Sequence, residues 1–197
     1  GYRMDLGFPV ILEAGLFNGS GLTNQKNYWT KKVNFSAKAQ MFFPQGFNLT
    51  LSTQKISPNG NGIMMYDAGA YWQKNGWHVE AEYLYKHYND AFKAVHSFDG
   101  FVNYDIAVAG KRNLIKKVSP LVRYDFMTDH SDGTLDDEGK MKLTDYKRSR
   151  ISGGVTLSLA KPFVSDIRIN YEKYFYGKNA LPKVSERDKI VFEVMTR

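Results

Sequence analysis

Apolar and polar side chains alternate along this chain with a period of two, in block after block. Val33, Phe35, Ala37, Ala39, Met41 and Phe43 stand against Asn34, Ser36, Lys38 and Gln40, with Phe42 the one exception. Phe47, Leu49 and Leu51 stand against Asn48, Thr50, Ser52 and Gln54. Successive side chains of a strand point to opposite faces, so each block reads as a strand with one apolar face and one wet face.

The same pattern predicts about ten strands. They fall at Leu6–Phe17, Val33–Phe43, Phe47–Ile56, Met64–Gln73, Trp77–Tyr88, Phe98–Val108, Ser119–Thr128, Arg150–Leu159, Ser165–Tyr176 and Lys189–Arg197. Pro9 suggests an edge or a bulge in the first. Asn75-Gly76 between two alternating runs is the strongest hairpin signal, because both residues tolerate φ > 0. Most strands span roughly nine to twelve residues, the length a tilted strand needs to cross a bilayer core, whereas globular strands are nearer about five or six. The connections differ as regularly: 44–46, 74–76 and 160–164 are short, while 18–32, 129–149 and 177–188 are long, with 57–63 and 89–97 between them. The 109–118 connection is long for a tight turn. The expectation is one all-β domain over 1–197, an up-and-down antiparallel transmembrane β-barrel with long loops at one end and short turns at the other.

The totals bound the alternatives. Mean hydropathy is −0.45 although hydrophobic residues make up 43%, and no run of about eighteen apolar residues supplies a transmembrane helix. An alternating barrel strand keeps average hydropathy low while its lipid-facing half is fully apolar. The absence of cysteine removes disulfides, thiol nucleophiles and Cys-ligated metal. No segment has the form of a signal peptide. The net charge of +7 suits nucleic acid, anionic lipid or a pore that favours anions. Nucleic acid is discounted, because the densest basic runs, Lys111-Arg112 with Lys116-Lys117 and Lys147-Arg148, lie in connections without a recognition motif. Aromatic residues gather towards strand ends at Phe43, Phe47, Tyr71, Trp72, Trp77, Tyr83 to Tyr88 and Tyr171 to Tyr176, as in an interfacial girdle.

Several segments resemble the C-terminal half of the phosphate-selective porin O/P family of Gram-negative outer membranes. They are Gly15-Leu16-Phe17-Asn18-Gly19-Ser20-Gly21, Met65-Tyr66-Asp67-Ala68-Gly69, Glu80-Ala81-Glu82-Tyr83, Leu121-Val122-Arg123-Tyr124-Asp125, Gly153-Gly154-Val155-Thr156-Leu157 and Asp166-Ile167-Arg168-Ile169-Asn170-Tyr171. The resemblance implies an outer-membrane β-barrel pore, often a homotrimer, that passes small anions, phosphate among them. Family members are longer, with about sixteen strands, so this chain is read as a fragment, a truncated product or a small barrel in its own right. They usually end in phenylalanine, whereas this sequence stops at Arg197, one position short of the next outward residue.

The polar phase carries Glu13, Lys38, Asp67, Glu80, Glu82, Lys86, Asp105, Arg123, Asp125, Arg168, Glu172 and Glu193. A wet lumen tolerates such charges, whereas Lys or Arg facing lipid at the midplane costs about 2–4 kcal/mol. The pore-lining candidates are Lys38, Glu80, Glu82, Lys86, Arg123, Asp125, Arg168 and Glu172. Lys38, Arg123 and Arg168 could act as an anion ladder, or the arginines could pair with carboxylates on adjacent strands and fill a narrow lumen. No catalytic, cofactor or metal site is expected. His78, His87, His96 and His130 show no helical i, i+4 spacing, and Asp129-His130-Ser131-Asp132-Gly133 with Asp136-Asp137-Glu138 lacks calcium-loop spacing. The Asn48-Leu49-Thr50 sequon falls within a strand and is discounted. The functional expectation is a porin-like channel for passive diffusion of small solutes, weakly anion-preferring, with membrane lipid and small anions as partners. A lipocalin-like binder of small hydrophobic ligands and a non-conducting structural or adhesion barrel are the alternatives.

Overall fold

The computed structural model describes residues 1–18, 33–57, 62–89, 92–110, 114–178, 180 and 182–196. Its strands are β1 (Tyr2–Asp5), β2 (Pro9–Asn18), β3 (Val33–Phe43), β4 (Phe47–Ile56), β5 (Ile63–Lys74), β6 (Trp77–Tyr88), β7 (Val95–Tyr104), β8 (Ile106–Ala107), β9 (Ile115–Met127), β10 (Arg148–Leu159), β11 (Ser165–Tyr176) and β12 (Lys189–Thr196). They form one antiparallel 12-stranded sheet in chain order, with short β8 off the main path beside β9. The predicted strands are all present, and β1 and β8 are short additions. The edges are β1 and β12, and no ladder joins them among the described residues.

Three predicted strands shift by three residues or more at their starts. The run Leu6–Phe17 is broken, because Gly7 adopts φ +85° and its N–H donates to the Asp5 carboxylate at 2.9 Å. Leu6 and Phe8 thus form a turn, and β2 starts at Pro9. The strand placed at Phe98–Val108 begins three residues earlier, at Val95, and is interrupted at Asp105. Asn103 pairs with Leu121 and Ile106 with Val118, so the register continues across the gap. By the same register Pro120 stands opposite Tyr104, next to the gap, and has no N–H to give the ladder; the Asp105 N–H donates to the Gly76 carbonyl at 2.7 Å. The strand expected from Ser119 starts at Ile115, which shortens the doubtful 109–118 connection. Arg197, Lys111, Arg112 and the Gly19-Ser20-Gly21 part of the first resemblance segment lie outside the described residues.

Register sorts the side chains onto a mainly apolar face and a mainly polar one. One face runs Leu12–Ala39–Leu51–Ala68–Tyr83–Phe98 across β2 to β7, and Val122–Gly153–Tyr171–Ile190 across β9 to β12. The other runs Glu13–Lys38–Ser52–Asp67 and Glu82–Asp99–Asp125–Arg150. The apolar face is uncovered: Leu51, Tyr66, Val102, Val122, Ile151, Ile169, Phe192 and Val194 are all exposed. Buried Asn34, Lys86, Ser119, Ser152 and Asp166 lie on the polar face instead. This is the reverse of a soluble domain, which buries its apolar face.

Two aromatic rows border the apolar face. At the short-turn end Phe8, Phe43 and Phe47 are in ring contact, Phe47 pairs with Trp72, and Trp77 lies 4.6 Å from Tyr104. Towards the other end Tyr66, Tyr85, His96 and Tyr83 are in contact, followed by Phe98 beside Tyr124 and opposite Phe126. Along β6, Trp77 and Tyr85 are separated by about 26 Å at roughly 3.3 Å per residue. A strand tilt of about 40° reduces this to about 20 Å, near the height of a lipid-facing apolar band. Part of the expected girdle is elsewhere. Tyr71, Tyr88, Tyr174 and Tyr176 fall on the polar phase, because an even number of residues separates each from Glu80 or Glu172 by strand or ladder.

The tight turns depend on left-handed backbone. Gln45 and Gly46 have φ 68° and 80°, and Asn75 and Gly76 have φ 52° and 84°. A Cβ on Gly46 would sit 2.1 Å from the Gln73 carbonyl oxygen, whereas nothing lies within 4 Å of one on Gly153. Gly46→Ala should therefore lower unfolding free energy by about 1–3 kcal/mol, and Gly153→Ala should leave it nearly unchanged. Urea titration in detergent micelles compares the two.

Candidate functional site

The polar face holds a lateral belt of alternating charge. Its members come from five strands because β7, β9, β10, β11 and β12 are consecutive neighbours in the sheet. Arg123 on β9 contacts Asp99 on β7 and Asp125 on its own strand, both at 2.7 Å. Arg150 on β10 contacts Asp125 at 2.8 Å and Glu172 on β11 at 3.3 Å. Lys189 on β12 reaches Glu172 at 3.5 Å, and the Tyr174 hydroxyl donates to the same carboxylate at 2.7 Å. Signs alternate along the whole row, so each charge lies between opposite charges or ends the series.

Other polar-face charges stand in smaller sets. Lys38 pairs with Glu13 at 2.6 Å across β3 and β2. Arg168 pairs with Glu193 at 3.2 Å across β11 and β12. Asp105 accepts from Lys117 at 2.8 Å, from Ser119 at 2.6 Å and from Asn103 at 3.2 Å. On β5 and β6, Asp67 lies diagonally across from Glu82 on the same face, and Glu80 faces His78 at 3.5 Å. That side of the face is therefore acidic, while the β9–β12 side is compensated. Between the belt and the short turns lies a polar cavity of about 400 Å³ lined by His78, Asn103, Asp105, Lys117, Arg123 and Arg168, among others.

At the long-loop end, the β9–β10 connection folds back over the polar face. It makes two isolated bridges, His130 with Asp145 and Leu135 with Met141, closed by a turn in which the Asp136 N–H donates to Lys140 O. The Ser131 carbonyl accepts from the Lys86 ammonium and from the Tyr88 hydroxyl at 2.7 Å. The Ser131 N–H donates to the same hydroxyl at 3.0 Å. Met141 packs with Ile63, Tyr88 and Val95, and Ile56, Met65, Phe92, Met127 and Leu135 surround them. This apolar knot is the buried hydrophobic cluster of the described residues. At its base Arg148 holds Asp145 at 2.7 Å and Glu186 at 3.4 Å.

All the sequence-predicted residues Lys38, Glu80, Glu82, Lys86, Arg123, Asp125, Arg168 and Glu172 lie on the polar face. Only Arg123, Asp125 and Glu172 meet in the belt. Lys38, Arg123 and Arg168 do not form one ladder, because they stand on β3, β9 and β11, each with its own carboxylate. Lys86 is turned to the loop rather than to an open lumen. Sequence reading missed Asp99, Arg150 and Lys189, which complete the belt. All three stood at the first or second residue of a predicted strand, and the alternation within those strands already puts them on the polar phase. Among the described residues no cluster of His, Asp or Glu could hold a metal ion. Family models, curated proteins and solved structures were each compared with the chain, and none matches.

Two outcomes follow from this geometry. Arg150 and its carboxylates are less exposed than the Lys38–Glu13 pair, and losing it leaves Asp125 and Glu172 short of a partner. Arg150→Met should cost about 1–3 kcal/mol, against no more than about 1 kcal/mol for Lys38→Met, as read by urea unfolding. The second concerns His130, outside the strands. Burial, reinforced by the Lys86 charge, lowers its imidazole pKa, with Asp145 and Asp132 opposing. The folded loop thus favours neutral His130, a contribution present above the unfolded imidazole value of about 6.5 and lost as pH falls through the lower folded value. For Asp132, burial raises the carboxyl pKa but hydrogen bonds from Thr134 outweigh it and hold it below the usual range, so its contribution is lost only in stronger acid. Proteolytic nicking within 129–147 should therefore accelerate as pH falls below about 6.5, and His130→Asn should delay that rise to the carboxylate range.

Proposed function

We propose that this chain is an outer-membrane β-barrel of the porin type, passing small solutes by passive diffusion with only a weak preference for anions such as phosphate. The observation that carries the reading is the uncovered apolar face: its large side chains are exposed, and every strand Asp and Glu lies on the opposite face. Such an arrangement suits lipid on one side and water on the other. Long strands, segregated loops and two aromatic rows support it. The sequence segments that resemble phosphate-selective porins make the pore type the favoured one. A homotrimer belongs to the same proposal, as do membrane lipid and small anions as partners.

The charge pairs limit selectivity. Lys38, Arg123 and Arg168 each have a carboxylate within 3.2 Å, and Asp67, Glu80 and Glu82 oppose them from β5 and β6. A small surplus of basic charge near a low-dielectric wall still biases permeation, and screening weakens that bias as salt rises. Planar-bilayer recording is the test. The expected result is a small conductance whose reversal potential across a salt gradient is slightly anion-selective. Replacing Lys38, Arg123 and Arg168 together by Gln should shift it to the cation side, since the freed carboxylates remain. Cation selectivity of the unchanged protein would end the anion reading. Insertion without conductance would favour the structural or adhesion barrel, which the belt and the folded loop would suit. A detergent-free soluble monomer whose tryptophan is quenched by a lipophile would favour the lipocalin-like binder.

A further inference from the structure

Charge is distributed over the apolar face in a way that a lipid band alone does not require. Lys55 shares a row there with Phe35 and Met64, Lys74 with Trp77, and Lys173 with Ile151. These are the charged residues paired on that face in the described ladders; no Arg, Asp or Glu accompanies them. Lys74, at the short-turn end, donates to Gln45 at 2.8 Å. Lys55 and Lys173 lie towards the long-loop end, where His87 and His96 also belong to the apolar phase, opposite Met64 and Tyr85.

The densest part of this basic rim spans β9 to β11. Phe126, Ser149 and Phe175 form one row, so a small residue separates two rings. The Lys147 ammonium lies 5.7 Å from the centre of the Phe126 ring, and that of Lys173 lies 5.7 Å from the Phe175 ring. Below the row Tyr124, Ile151 and Lys173 are neighbours, continuing downwards into Val122, Gly153 and Tyr171. The opposing charge is Asp188, 3.2 Å from Lys173, while Lys147 makes no ion pair among the described residues. An apolar strip with two ammonium groups above it matches an acyl chain ending in a phosphate. Lysine suits that boundary, since its stem stays on apolar surface while its charge reaches the head-group layer, and an anionic membrane surface attracts cationic residues near it.

We infer that Lys147 and Lys173, with Phe126, Ser149 and Phe175, form a binding site for the phosphate head group of an anionic membrane lipid at the long-loop rim. The inference rests on the membrane-barrel reading. It adds a lipid preference that this reading does not itself require, because zwitterionic lipid would cover the apolar face equally well.

The test reconstitutes the full chain into vesicles of phosphatidylcholine alone and of phosphatidylcholine with about one third phosphatidylglycerol, the anionic fraction being set to give a clear surface potential. Wild type, Lys147→Gln/Lys173→Gln and a control of equal charge, Lys140→Gln/Lys142→Gln, are compared by flotation and by the temperature at which the inserted sheet unfolds. All three should float with both vesicles. Anionic lipid should raise the unfolding temperature of wild type and of the control by several degrees, and that of the Lys147/Lys173 variant by much less. Equal stabilisation of all three, or none of any, overturns the site. A matching rise with inorganic phosphate in phosphatidylcholine vesicles overturns it as a lipid site. Failure to float with either vesicle instead overturns the membrane reading beneath it.

Discussion

Register is the constraint on which everything else in this structure depends. The side-chain period of a strand is two, so a slip of one residue in any ladder would exchange the two faces of that strand. Slipping β9 against β10 would turn Arg123 and Asp125 towards the side held by Val122 and Tyr124. Within a bilayer, a basic charge so exposed near the midplane costs about 2–4 kcal/mol. The tight turns help to hold the phase: left-handed backbone at Gln45-Gly46 and Asn75-Gly76 closes β3–β4 and β5–β6 without loose residues. Even the interruption at Asp105 preserves the register, since β8 resumes where β7 would have continued.

Given that register, the two faces have different tasks. The apolar face is uniform, with aromatic rings towards its ends and lysines as its charge. The polar face is differentiated, with a compensated belt over β7 to β12, an acidic sector on β5 and β6, and a loop held over one end. In the proposed pore, the compensation of the belt matters most. Alternating charges linked through shared carboxylates stiffen a wall, but they offer a passing ion little net field. The acidic sector and the loop therefore bear more on what a lumen would admit than a count of basic residues does.

The loop shows how a polar face acquires a core. Residues 129–147 include Asp129, Asp132, Asp136, Asp137 and Glu138, the composition of a solvated segment. Yet Leu135 and Met141 meet across the loop's own bridge and reach Ile63, Tyr88 and Val95 on the sheet. Ser131 is fixed at the same place by hydrogen bonds from both Lys86 and Tyr88. Two apolar residues spaced across a turn were enough to anchor an otherwise acidic segment.

The sequence by itself determined the strands, their phase and the ends at which loops and turns fall, because alternation and turn chemistry are local properties of the chain. It placed Lys38, Glu80, Glu82, Arg123, Asp125, Arg168 and Glu172 on one face for the same reason. It could not show which of them would touch. Arg150 meets both Asp125 and Glu172 only because β9, β10 and β11 are paired at particular offsets, and an offset is a relation between segments far apart in the chain. Alternation alone read the run through Gly7 as continuous strand, and the gap at Asp105 falls where Pro120 of the neighbouring strand stands opposite Tyr104, one residue away. Lys86, by phase a lumen residue, became an anchor for Ser131 because a distant loop came down upon it. Alternation sets the direction of each side chain, and only the assembled sheet decides what stands within its reach.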